Sequence, residues 1–145
     1  MCGLFGVIKS QNSEPLSQAA LAFEWLGYYA RLRGSSAAGF AAFTGRKQRH
    51  PATTPATLAL SASKLRIDGW HIHKTATNFG QFWHKNRSVY RELADRASLL
   101  IGHTRLATIG NRFSLNNASP LVVGDLIGTH NGGVNKTASD NLSDF

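Results

Sequence analysis

Apolar and polar positions change period several times along the chain, and each change marks an element. Residues 4–9 form a short apolar run between Gly3 and Ser10, as expected of a buried first strand. Over residues 16–32 apolar side chains recur three and four apart, at Leu16, Ala19, Ala20, Phe23, Leu26 and Ala30, which predicts a helix. Ser13 fits its N-cap, Pro15 its first turn, and Gly34 the stop beyond its end. Residues 38–44 read as a second strand, and residues 65–73, in rough alternation, as a third. Between them, residues 45–57 are polar, basic and broken by Pro51 and Pro55, so a loop is expected. A second helix is predicted over residues 88–97, with Ser88 as its cap and Glu92 in its first turns, followed by a buried strand at 98–102. Residues 121–129 are apolar but interrupted by Gly124-Asp125, a dipeptide that favours a tight hairpin. Neighbouring strands joined by short turns favour an antiparallel α+β fold over a parallel sheet.

Composition narrows the setting. The 145 residues suit one domain, and 42% apolar content is enough for a real core. No apolar run approaches the ~18 residues of a membrane span, so no membrane association is expected. The start lacks a basic segment, and Lys9 and Glu14 break any hydrophobic stretch, so it does not read as a secretory signal. A single cysteine, Cys2, cannot form an internal disulfide, which points to a reducing, cytoplasmic location. The formal net charge of +8 suits a polyanion such as nucleic acid, or a solvated basic surface, or an acidic segment missing from this chain.

Chemistry enters with the opening stretch, MCGLFG. If Met1 is removed, Cys2 carries a thiol and a free α-amine on one carbon skeleton. Such an amine, with an ordinary pKa of about 7.7–8.0, can take the thiol proton directly or through a water. Gly3, lacking a Cβ, lets other groups approach. Three more glycine-punctuated stretches stand out: LRGSSAAGF at residues 32–40, GHTRLATIGN at 102–111, and NASPLVVGDLIGTHNGG at 117–133. Singly, each reads as a helix end, a strand running into a turn, or an Asn-Gly turn.

Together, in this order and at this spacing, the four stretches resemble the class II glutamine amidotransferase domain, a member of the N-terminal-nucleophile hydrolases. The resemblance covers residues 2–135, is poor over the variable loop at 45–63, and treats 1–145 as one domain. It implies an αββα sandwich of mainly antiparallel sheets, incomplete in this chain, and hydrolysis of the side-chain amide of L-glutamine with release of ammonia. It implies Cys2 as nucleophile, with the Asn131 side chain and the Gly132 N–H as the oxyanion hole. Arg105, with Thr108 beside it, would hold the substrate α-carboxylate, and Arg33 would organise the nucleophile region. These roles suit the side chains: an amide supplies two N–H donors, and a guanidinium binds a carboxylate through paired bonds. No cofactor is implied. A synthase subunit or domain would accept the ammonia, and no phosphate loop or dinucleotide motif in this chain marks one.

The chain departs from the family pattern at Leu106, where an aromatic residue is common, and at Ile109, where many members have histidine. Asp140 and Asp144 follow Asn131 too closely to match the family aspartate that holds the substrate amino group. Half a sandwich would expose apolar sheet face, for which homo-oligomerisation or a partner is one remedy. His71 and His73 share one strand face, yet no third ligand stands at a suitable spacing and no metal is expected. Basic residues interleave with Trp70, Phe79, Phe82, Trp83 and Tyr90 over residues 64–91, which reads either as a core-facing aromatic set or as a stacking surface for nucleic acid. The rival to an amidohydrolase is therefore an inactive module of the same fold, binding nucleic acid or a protein through its basic surface.

Overall fold

In the computed structural model, residues 1–10, 17–45, 63–108, 110–123 and 126–132 are described. The fold is a mixed α+β architecture in which helices flank an antiparallel sheet. Its strands are β1 (Gly3–Ile8), β2 (Ala37–Phe43), β3 (Lys64–Ile67), β4 (Trp70–Thr75) and β5 (Leu99–Arg105), in the spatial order β1-β5-β2-β4-β3. A hairpin of β6 (Leu121–Val123) and β7 (Leu126–Gly128) forms a second, two-stranded sheet. The helices are α1 (Ser17–Ala30), α2 (Phe79–Lys85) and α3 (Arg87–Arg96).

The period-two alternation of the strands sorts side chains between two cores. Phe5 and Val7 of β1, Ala38, Phe40 and Ala42 of β2, and Leu100 of β5 pack against the helices. The helices answer with Ala20 and Phe23 of α1, Phe79, Phe82 and Trp83 of α2, and Tyr90, Leu93 and Ala94 of α3. Phe40 is central, with ring centroids 4.9 Å from Tyr90 and 5.7 Å from Trp83. On the opposite face, Ala41, Ile72 and Ile101 meet Val122 and Ile127 of the hairpin. The result is three layers: helices, five-stranded sheet, hairpin. Two glycines permit the closest approaches. A Cβ on Gly27 would lie 2.1 Å from Phe79 Cζ, and one on Gly39 would lie 2.3 Å from the Ser119 carbonyl oxygen.

One buried acid ties the helices together. Glu24 of α1 receives Arg87 Nε at 2.9 Å and Arg91 Nη2 at 2.7 Å, both from α3. Its outward neighbours on α1, Leu21, Trp25, Leu26 and Tyr29, are exposed. This corrects the expected placement of Leu26 in the apolar face. α1 is apolar nearly all round, so periodicity alone could not select its inward side.

The structure differs from the sequence reading elsewhere too. The single strand expected over 65–73 is a hairpin, β3 and β4. Its turn residues Asp68 (φ 44°) and Gly69 (φ 85°) are both left-handed, as a two-residue type I′ turn requires. α2 was not anticipated; Asn78 caps it by accepting from the Gln81 N–H at 3.0 Å. α3 begins at Arg87, so Ser88 lies inside it and Asn86 flanks both helices. β5 runs on to Arg105, which puts the whole GHTR stretch on a strand. Ser13, Pro15, Leu16, Pro51, Pro55, Ile109, Gly124, Asp125, Asp140 and Asp144 lie outside the described residues. Among the described residues, no helix is long and apolar enough to cross a membrane.

Candidate functional site

Cys2 sits just ahead of β1, where three distant stretches close around it. The first is the turn after α1. Thr104 of β5 donates its hydroxyl to the Ala30 carbonyl at 2.7 Å, pinning the end of the helix. Gly3 makes that docking possible, since a Cβ there would stand 2.7 Å from Thr104 Oγ1 and 2.8 Å from Ala30 Cβ. The chain then turns, and Arg33 Nε donates to the Cys2 carbonyl at 3.2 Å while its Nη2 reaches Met1 Sδ at 3.5 Å.

The second stretch is the end of β5. Gly34 packs on it so closely that a Cβ would lie 2.5 Å from the Leu106 nitrogen. Ser36 locks the pair: its N–H donates to the Arg105 carbonyl at 2.8 Å, and its hydroxyl accepts from the Ala107 N–H at 3.2 Å. The Leu106 carbonyl, held this way, faces Cys2 Sγ at 4.0 Å.

The third stretch follows β7. Asn131 Oδ1 accepts from the Cys2 backbone nitrogen at 3.1 Å, across 129 positions of sequence. The chemistry fixes the amide's orientation: a backbone N–H needs an oxygen acceptor, so Nδ2 and its two N–H groups face away from that nitrogen. Gly132 is exposed with φ 133°, backbone that favours glycine. Just upstream, the His130 carbonyl oxygen lies 3.1 Å from Nε2 of His103 on β5. The His103 ring is buried, and burial lowers its pKa to about 4. The nearby charges of Arg105 and His130 act in the same direction, while the bond to the His130 carbonyl opposes them.

Of the residues expected at the site, Cys2, Arg33 and Asn131 are in direct contact. Arg105 is buried one residue before the Leu106 carbonyl, and its Nη1 donates to the Asn111 carbonyl at 3.3 Å. Thr108 is exposed beyond it. Sequence reasoning missed His103, Ser36 and Thr104. The alternation within GHTR carried the only signal, since it places His103 and Arg105 on one sheet face and Thr104 on the other.

The other candidates fall elsewhere. His71 and His73 do share a face, on the helix side of β4. His73 stacks on Phe40 at 5.1 Å and meets Tyr90 edge-on at 5.0 Å, as a member of the core. Among the described residues, no group of three or more His, Cys, Asp or Glu side chains gathers as metal ligands would. Phe79, Phe82, Trp83 and Tyr90 are buried, so their rings do not offer a stacking surface. On the hairpin side, Lys74 is buried opposite Gly39 and donates to the Leu115 carbonyl at 3.1 Å; burial brings its pKa down to about 8. Set against protein-family models, curated proteins and solved structures, the chain matches none.

Proposed function

We propose that the chain is an N-terminal-nucleophile amidohydrolase of the class II glutamine amidotransferase type. The observation that carries this reading is the meeting of Cys2, Arg33, the Leu106 carbonyl and Asn131. Four separate stretches supply them, and each is one of the motifs on which the family resemblance rests. On this reading the helix, sheet and hairpin layers belong to an αββα sandwich.

The mechanism begins with removal of Met1. The Cys2 backbone nitrogen, now an amide, becomes an amine. It keeps an N–H for Asn131 Oδ1 and gains a lone pair that can take the thiol proton. The sulfur attacks the side-chain carbonyl of L-glutamine. Negative charge develops on that oxygen, and on this reading Asn131 Nδ2 and the Gly132 N–H donate to it. The proton held by the amine passes to the leaving nitrogen, ammonia departs, and a γ-glutamyl thioester remains on Cys2. Water, deprotonated by the same amine, releases glutamate and restores the thiol. Arg105 holds the substrate carboxylate, which requires its guanidinium to exchange the Asn111 carbonyl for the ligand. An acceptor of the ammonia would be a synthase subunit or domain.

The test is intact-protein mass, before and after incubation with a glutamine-like electrophile that alkylates cysteine. Loss of Met1 and a single adduct, blocked by L-glutamine and absent in Cys2→Ala, is expected. Retained Met1, or an adduct that glutamine does not block, would overturn the proposal.

A further inference from the structure

The short segment that carries Asn131 is held in an unusual way. It lies beyond the last paired residue of β7, Gly128, so the β6–β7 ladder no longer supports it. Among the described residues, two hydrogen bonds fix residues 129–132. One is the contact between Asn131 and Cys2, which belongs to the reacting groups themselves. The other is the contact between His103 and the His130 carbonyl. His103 stands on a strand hydrogen-bonded on both sides. On β5, an interior strand, it stands opposite Leu4 of β1 and Gly39 of β2.

The protonation state of this ring follows from its partner. A carbonyl oxygen only accepts, so Nε2 must carry the hydrogen. Nδ1 is then a bare lone pair, and among the described residues it is buried without a hydrogen-bond partner. A buried acceptor left unpaired costs on the order of 1–3 kcal/mol. An apolar residue of similar size at position 103 would avoid that cost. Retaining histidine there is consistent with a use for the Nε2–H.

We infer that His103 is a positioning residue: its Nε2–H grips the His130 carbonyl and so sets where Asn131 and Gly132 present their N–H groups beside Cys2. This role rests on the reading of Cys2 as nucleophile, but it concerns a different link. His103 touches neither substrate nor sulfur. It acts through the backbone of the next residue along, and it stays neutral and bonded across the pH range in which the amine would work.

Two variants test it. His103→Leu keeps bulk and removes the donor. His103→Gln keeps an N–H at nearly the reach of Nε2. In a glutaminase assay, His103→Leu should lower kcat by about 10- to 100-fold, the size of loss that misplacing an oxyanion donor brings, with KM for glutamine within about threefold of wild type. His103→Gln should recover most of the loss. Unchanged kcat in His103→Leu would overturn the inference, as would failure of a folded His103→Gln to recover it. A second readout does not depend on turnover. In heteronuclear NMR, the Asn131 side-chain amide should shift and broaden in both variants, more in His103→Leu, and the wild-type ring should show the neutral Nε2–H tautomer. An unmoved Asn131 amide, or an Nδ1–H tautomer, would overturn it. If the wild-type chain hydrolyses no glutamine and yet the Asn131 amide responds, the proposed reaction fails while the positioning stands.

Discussion

Acidification should destabilise this protein in part through His73, and the size of that part can be worked from its surroundings. The ring lies against Phe40 and Tyr90, and its Nδ1 has no hydrogen-bond partner among the described residues. Burial lowers its pKa from the ordinary 6.5 to about 4, assisted by the charges of Lys64, His71 and Arg66. An aromatic face attracts an imidazolium by about 0.5–2 kcal/mol, which is too little to reverse desolvation next to three basic groups. Between pH 6.5 and 4 the unfolded chain therefore binds a proton that the folded chain refuses. Stability is complete above pH 6.5, falls as the pH drops through that window, and levels off below about 4 as far as this group is concerned. The gap of about 2.5 pH units corresponds to about 3.5 kcal/mol at ~1.4 kcal/mol per unit, of which about 3 kcal/mol is lost by pH 4, a large part of a typical domain's 5–15 kcal/mol. Urea unfolding followed by tryptophan fluorescence at pH 7, 6, 5 and 4 measures it. Carboxylates and His103, whose pKa burial likewise lowers to about 4, titrate in the same range, so the comparison is with His73→Phe, which keeps an aromatic ring and removes the proton site. The variant should lose about 3 kcal/mol less than wild type between pH 7 and 4. Parallel loss in the two proteins would refute the reasoning.

Glu24→Gln keeps the shape of the side chain and removes the charge that two arginines share. Its partners are half exposed, so the cost should be about 2 kcal/mol, below the 3–5 kcal/mol of a fully buried pair, read from the urea midpoint. Gly39→Ala drives a methyl into the Ser119 and His73 carbonyl oxygens, which are backbone and cannot swing aside. It should destabilise the fold by about 1–3 kcal/mol, with hydrogen exchange rising first in the β6–β7 hairpin; an unchanged midpoint would show that the sheet and hairpin are less tightly seated than described.

The strands with a single inward face were legible from alternation, and β1, β2 and the β6–β7 pair fall where the pattern puts them. The β3–β4 turn was legible but missed: across Asp68-Gly69 the apolar phase shifts from odd positions (Leu65, Ile67) to even ones (Trp70, Ile72), and the dipeptide itself favours a tight turn. α2 was missed because seven residues give periodicity too little length. That Cys2, Arg33 and Asn131 come together was legible because the stretches that carry them are local and distinctive. His103 was not, because its partner is a backbone carbonyl 27 positions away, and a carbonyl leaves no trace in the residue type that bears it.

The edge strand that follows Cys2 works as a ruler. Phe5 and Val7 are seated among the helices, and the register from Gly3 opposite Thr104 to Ile8 opposite Leu99 fixes them there. Alternation forbids β1 to slip by one residue, because that would swing both side chains out of the core and bring Leu4 and Ile8 in. The number of residues between the core and Cys2 is therefore constrained by packing. One residue inserted between Gly3 and Phe5 would carry Cys2 about 3.3 Å along the strand, out of reach of Asn131. Residues added ahead of Met1 would leave the spacing from Phe5 to Cys2 untouched.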